Sequence, residues 1–227
     1  MLSYAARYHP TWQVLEERRV AAPQRVDRVL EAGSGAEGLA LFWKGSLVGV
    51  DLRFKRRPMA LGVVGSALHL PFAPASFPVA VSCDMLEHLP AELRRQAVLE
   101  MGRVCRERLL VGFPSGAAAE AMYQALAHRW AGAAPPWLEE HLTYGLPGAS
   151  EVAGWLADAG WQVSIRWYES AAAHARRLEW ERRGLQRWIS YLAARALGPW
   201  WMQRQRLEPP ADPLRVLLDA TPCTPFS

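Results

Sequence analysis

Residues 29–38 read VLEAGSGAEG, and Asp51 follows thirteen residues beyond Gly38 in the run LVGVDL. An apolar stretch running into three glycines is the pattern of a strand that ends in a tight turn. Gly33 and Gly35 let the backbone bend sharply and keep side chains away from whatever docks there. Gly38 permits close packing of the next helix on the strand. That helix, expected over Ala36–Trp43, would aim backbone N–H groups and its positive dipole end at the ligand. Asp51, closing the second strand, is placed to accept hydrogen bonds from ribose hydroxyls. Glycine spacing alone arises by chance. With a strand before it, a helix after it and an acid ending the next strand, it points to an adenosine-bearing ligand. A glycine turn that binds nothing is the alternative.

Outward from that turn, short apolar runs alternate with helical material. Strands are expected over Arg28–Ala32, Leu47–Asp51, Leu61–Gly65, Val79–Cys83 and Arg108–Phe113. A helix over Pro90–Cys105 carries Leu93, Ala97, Met101 and Val104 on one stripe. A helix over residues 11–22 is expected to end at Pro23. Farther on, Ser150 is positioned to cap a helix through Ala159, closed by Gly160. Trp161–Glu169 then alternates as a strand, and Leu214–Ala220 reads as the last one. Strands alternating with helices predict an α/β fold with a doubly wound, mostly parallel seven-stranded sheet. Residues 1–227 read as one domain, with 170–210 a helical Arg/Trp-rich insertion before the last strand.

Composition bounds the partners. The 227 residues carry a formal charge of +4, too small to imply nucleic acid binding. The charge is uneven, with eight Arg against two Glu between Ala171 and Arg206. Cys83, Cys105 and Cys223 are far apart and odd in number, so neither a disulfide framework nor a zinc motif is expected. No apolar run approaches the roughly 20 residues of a membrane span, and the N-terminus lacks a secretory pattern. The cytoplasm is the expected location. Histidines lack ligand spacing, and no metal is expected.

Leu30–Gly38, Gly49–Asp51 and above all GSALHLPFAPASFPVAVSCDMLEHLP (65–90) resemble a class I S-adenosylmethionine (SAM)-dependent methyltransferase of type 11. The resemblance covers 28–113 well and 150–168 more loosely. It implies SAM as cofactor, with Glu31 facing the methionine amino group and Gly33, Ser34 and Gly35 lining the site. It further implies Asp51 on the ribose diol, Leu52 against the adenine, and Ser66, Ala67 and Asp84 among the cofactor contacts. Ser66 departs from the family, which commonly has an acid there. Glu31 also speaks independently, because a carboxylate repels a pyrophosphate and attracts a sulfonium.

Catalytic candidates are His88, in the segment Cys83–Pro90, together with Glu140 and His141. Trp137, His141 and Tyr144 are candidates for acceptor binding, their mixture of aromatic surface and polar tips suiting a ligand site. The structural alternative is that these side chains cap helices or satisfy backbone groups. The expected acceptor is a small molecule, a sugar or a lipid-linked intermediate, methylated on oxygen. An RNA acceptor held by the basic 171–206 segment is the rival, and a SAM-binding protein without catalysis is another. The insertion itself is read first as a packed helical unit or homodimer contact with Leu178, Leu185, Trp188, Ile189 and Leu192 buried and Gly198–Pro199 as a break. A peripheral membrane surface is the other reading.

Overall fold

The computed structural model describes residues 2–22, 28–182, 184–204 and 208–224. The order is α1 (Leu2–Ala21), β1 (Val29–Ala32), β2 (Leu47–Asp51), β3 (Leu61–Val64), β4 (Phe77–Cys83), α2 (Ala91–Val104) and β5 (Cys105–Pro114). Then come α3 (Ala117–Arg129), α4 (Pro136–Tyr144), α5 (Ala149–Asp158), β6 (Trp161–Ser170), α6 (Ala171–Glu181), α7 (Gly184–Arg204) and β7 (Pro213–Pro222).

The seven strands lie in the order β3-β2-β1-β4-β5-β7-β6. β1 to β5 pair in parallel, and β7 runs antiparallel to both of its neighbours. The α/β sheet expected from alternating apolar runs is therefore present, doubly wound and mostly parallel. β1 and β4 are buried at every position, as central strands covered on both faces must be. One face packs α2 and α5 through Ala97, Met101, Val104, Val152 and Leu156. The opposite face packs Tyr8, Trp12 and Leu15 of α1 with Ala194 and Met202 of α7. A third cluster, with Tyr123, Leu126, Trp130 and Leu138, gathers α3 and α4 beside the start of α6.

Several local expectations are corrected. α1 begins at Leu2 and runs through Pro10, where a helix start beyond the proline was expected. Proline removes one backbone bond and crowds the preceding turn, but burial of Ala5, Tyr8 and Trp12 on both sides of it holds the helix together. Pro23, the expected stop, lies outside the described residues. In place of a helix over Ala36–Trp43 there is one 3₁₀ turn, Gly38–Leu41. Gly38 sits at φ +50°, and a Cβ there would lie 2.3 Å from a Glu31 carboxylate oxygen, so helical propagation stops at the start. The N-cap of α5 is Gly148 with no side-chain bond, not Ser150. Helix α3 had no counterpart in the sequence reading.

The largest reversal concerns the insertion. Its two helices exist, but Gly198–Pro199 does not break α7. The face of α7 that meets the core is Ser190, Ala194, Gly198 and Met202, one residue per turn. Leu185, Trp188, Ile189 and Leu192 of the expected buried stripe are exposed. Small residues win the inner face because α7 lies close against α1 and Phe42. A Cβ on Gly198 would come within 2.8 Å of the Phe42 ring. Gly198→Val should therefore destabilise the fold by about 1–3 kcal/mol, an overpacking cost, read as a lower midpoint in urea unfolding.

Candidate functional site

At the C-terminal edge of the sheet the chain turns one way after β1 and the other way after β4. A crevice opens there, as it does in open α/β sheets generally. It holds a cavity of about 250 Å³ lined by Gly33, Asp51, Leu52, Ser66, Ala67, Leu68, Asp84, Met85 and His88, among others. Gly33, at φ +75°, faces Met85 so closely that a Cβ would meet it at 2.9 Å.

Asp51 lines this cavity, with one oxygen accepting from Gly35 N–H at 2.8 Å and the other from Arg53 N–H at 3.3 Å. It thus tethers the glycine turn to the end of β2. Leu52 is 71% exposed at the rim, a free apolar surface beside that acid. The Ser66 hydroxyl accepts from Leu68 N–H at 3.2 Å within its own turn. Ser34 is buried and bonds the Gly35 carbonyl, so its hydroxyl supports the turn from behind.

Glu31 is placed differently from what its motif position implied. Its carboxylate is buried, accepts from Leu39 N–H at 2.9 Å and Tyr8 OH at 2.8 Å, and does not line the cavity. Burial pushes its pKa up to about 7, against the pull of those two donors. The preference for a cation over a pyrophosphate cannot rest on Glu31; Asp51 is the cavity acid bonded to nothing but backbone N–H groups among the described residues.

Beyond Asp84 lies a second, larger cavity of about 610 Å³, walled by α1, α3, α4, α6 and β7. Its floor is a buried ion network. Arg215 of β7, only 1% exposed, donates to both oxygens of Asp84 at 3.0 and 2.5 Å and to Glu169. Arg7 adds a 2.8 Å pair to Asp84, while His174, at 2.9 Å, and Arg177 bond Glu169. Burial alone would raise both carboxylates, but Arg215 and its neighbours hold Asp84 and Glu169 well below the ordinary range. Both acids sit at positive φ, +54° and +58°, conformations that this pairing keeps in place. Asp84 borders both cavities.

His88, Glu140 and His141 come together. His88 lies in a 3₁₀ turn after β4, and its Nδ1 is 2.6 Å from a Glu140 oxygen on α4. The His88 and His141 rings are 4.8 Å apart, and His141 also stacks edge-on with Tyr123 and Trp137. Arg94 of α2 fixes this meeting by donating to the carbonyls of Leu86, Leu89, Tyr144 and Gly145, which clamps the turn to the end of α4. Burial, reinforced by His88, lowers the His141 pKa to about 3, so its ring is neutral. Trp137 lines the larger cavity. Tyr144 does not: its side chain is exposed, and it contributes only its carbonyl to the Arg94 clamp. Arg7, Arg94, Glu169 and Arg215 were not foreseen, because isolated charged residues carry no periodic signal.

This fold and cleft define a class: the Rossmann-like fold of class I SAM-dependent methyltransferases. Residues 30–108 match the methyltransferase domain family model. No curated protein matches it by sequence. Among solved structures, a SAM-dependent methyltransferase from Archaeoglobus fulgidus superposes with TM-score 0.54 at 13% identity, covering 94% of each chain. A possible histamine N-methyltransferase from Thermotoga maritima gives 0.53 at 15%, over 97% of this chain and 92% of its own. Phosphoethanolamine N-methyltransferase 2 of Haemonchus contortus, solved with phosphomonomethylethanolamine and S-adenosylhomocysteine, gives 0.52 at 17% over 92% of this chain. The present chain spans about half of that protein's length, 53%.

The smaller cavity fits SAM. Asp51 can take a ribose diol, the apolar rim of Leu52, Met85 and Leu89 can take the adenine, and Gly33 leaves the approach open. Among the described residues no helix is long and apolar enough to cross a membrane.

Asp51→Ala should weaken SAM binding roughly 10- to 100-fold, the worth of charge-assisted hydrogen bonds, by calorimetry. Arg215→Met should cost about 3–5 kcal/mol of stability, because it strands two buried carboxylates. Asp84 and Glu169 ionise more readily in the folded state than the usual value of about 4. Their contribution is thus present above about pH 4–5 and lost on acidification below it. Glu31 has the opposite sign: its cost grows from about pH 4 and is complete above about pH 7. Glu31→Gln should therefore gain stability over the parent at about pH 9 and not at about pH 4, read by urea unfolding at both.

Proposed function

We propose that the chain transfers the SAM methyl group to an oxygen of a small molecule, a sugar or a lipid-linked acceptor held in the larger cavity. The observation that carries this reading is the His88–Glu140 pair where the two cavities adjoin, with His88 lining both. A neutral amine can attack a sulfonium methyl with its own lone pair, whereas a hydroxyl must lose a proton. Glu140 on Nδ1 orients the His88 ring and leaves Nε2 to accept that proton. With SAM bound, the S–CH₃ bond would break as the new C–O bond formed, and the His88 imidazole would take the hydroxyl proton. The rest of the rate comes from holding acceptor oxygen and methyl carbon in line.

The cavity's size and charge support a compact acceptor with an anionic group. Arg182 and Arg187 stand on its wall, with Arg7 and Arg215 below. The Haemonchus relative was solved with a phosphorylated ligand, which accords with such an acceptor. That relative and the Thermotoga protein are described as N-methyltransferases, so a nitrogen acceptor is the second reading. We place this activity in the cytoplasm; RNA is disfavoured because the acceptor space is a pocket walled by helices.

Incubation with methyl-labelled SAM and fractionated extract identifies the acceptor. The product is expected to carry an O-methyl group. His88→Ala should lower kcat by about 100-fold or more, with SAM affinity kept within a few-fold. An N-methyl product would overturn the oxygen reading in favour of the second.

A further inference from the structure

We propose that Glu87, His88 and His141 form a site for a divalent transition-metal ion of the zinc class. One ligating atom from each lies within 4.8 Å of the other two. The Glu87 side chain is fully buried, and its oxygens meet no hydrogen-bond partner beyond their own residue's N–H among the described residues. Both ring nitrogens of the buried His141 are likewise without a partner there. An orphaned buried polar group costs about 1–3 kcal/mol, and here two such side chains face each other. The Glu87–His141 separation is 4.0 Å, too long for a hydrogen bond. It exceeds by less than about 1 Å the roughly 3.4 Å span of two tetrahedral ligands each about 2.0–2.1 Å from a shared ion. Closing the set needs an inward shift on the order of 1 Å, small for a His141 ring that no hydrogen bond restrains.

Two imidazoles and one carboxylate suit Zn²⁺ and its neighbours; Mg²⁺ and Ca²⁺ favour all-oxygen sets. The surroundings are those of a ligand shell. Glu140 at 2.6 Å holds His88 Nδ1, the carboxylate–histidine arrangement that orients metal ligands and leaves Nε2 for the ion. Arg94 fixes the two segments that bring the ligands together. All three residues line the acceptor cavity, and three protein ligands leave a coordination position open to it.

An ion there acts as a Lewis acid on an acceptor hydroxyl, making it a better nucleophile near neutral pH. An ion held there occupies His88 Nε2, so the general-base role proposed above belongs to the ion-free protein, and in the ion-bound protein the coordinated hydroxyl gives its proton to solvent. The site is set by its donors whichever acceptor the cavity takes, so ion binding and oxygen methylation stand or fall separately. His141 lies far along the chain from the adjacent Glu87 and His88, so no ligand spacing showed in the sequence, where no metal was expected.

Protein stripped with a chelator is titrated with Zn²⁺ by calorimetry and with Co²⁺ by visible absorption, without SAM or acceptor. One ion per chain is expected, with micromolar or tighter affinity, Co²⁺ d–d bands, and no displacement by excess Mg²⁺. Glu140→Gln should weaken binding roughly 10- to 100-fold, and Glu87→Gln and His141→Ala by about 100-fold or more. Glu87→Gln keeps the side chain's shape while removing a buried carboxyl, so its thermal melt without metal should not fall below the parent's. It decides the matter if His141→Ala fails to fold. Absence of saturable binding, or binding undiminished in Glu87→Gln, overturns the site.

Discussion

The guanidinium of Arg215 is the tie on which this molecule depends. Buried on β7, it holds the carboxylates at the ends of β4 and β6, and through them Arg7 of α1 and His174 and Arg177 of α6. Burying the charges of Arg215, Asp84 and Glu169 is costly, and mutual pairing offsets that cost only when every member is in place. The network therefore fixes a geometry more than it adds stability. It brings the first helix, the inserted helices and the last strand to one point beneath the larger cavity.

That point is also where the sheet's topology opens a crevice. The strand order places the tip of β4 between the cofactor cleft and the larger cavity, and residues 84–88 serve both. Asp84 is spent on the ion network, so His88 is left as the polar side chain that faces both spaces. α4 then supplies Glu140 and His141 from the far wall. The Arg94 clamp holds these two walls together.

Much of the scaffold was legible along the chain, for a physical reason. Buried parallel strands must be continuously apolar, so β1, β2, β4 and β5 announce themselves, and the acid after β2 is where a ribose-binding residue belongs. His88, Glu140 and His141, picked for their chemistry, do meet in space. What escaped depends on depth and distance. α7 carries its large apolar residues outside and its small ones inside, because close helix approach outranks hydrophobicity where Gly198 meets Phe42. Glu31 occupies a familiar motif position yet bonds to Leu39 and Tyr8, since the helix expected after the turn is one 3₁₀ turn whose N–H needs an acceptor. Arg215 and Arg94 sit in strand and helix as single charges, which in sequence look like surface residues. Only folding shows that each is surrounded by acids or carbonyls.

β7 follows the other six described strands in the chain but is not an edge: it lies between β5 and β6, antiparallel to both. While a ribosome is still making the chain, β5 and β6 can have no shared partner. Asp84 and Glu169 meanwhile lack the cation that holds their left-handed backbones. Before residues 213–222 are in place, the sheet lacks the strand that joins β5 to β6, and the larger cavity lacks its Arg215 floor. A truncation product lacking that strand would retain the nucleotide-type crevice at the other half of the sheet and be without a floor to its larger cavity.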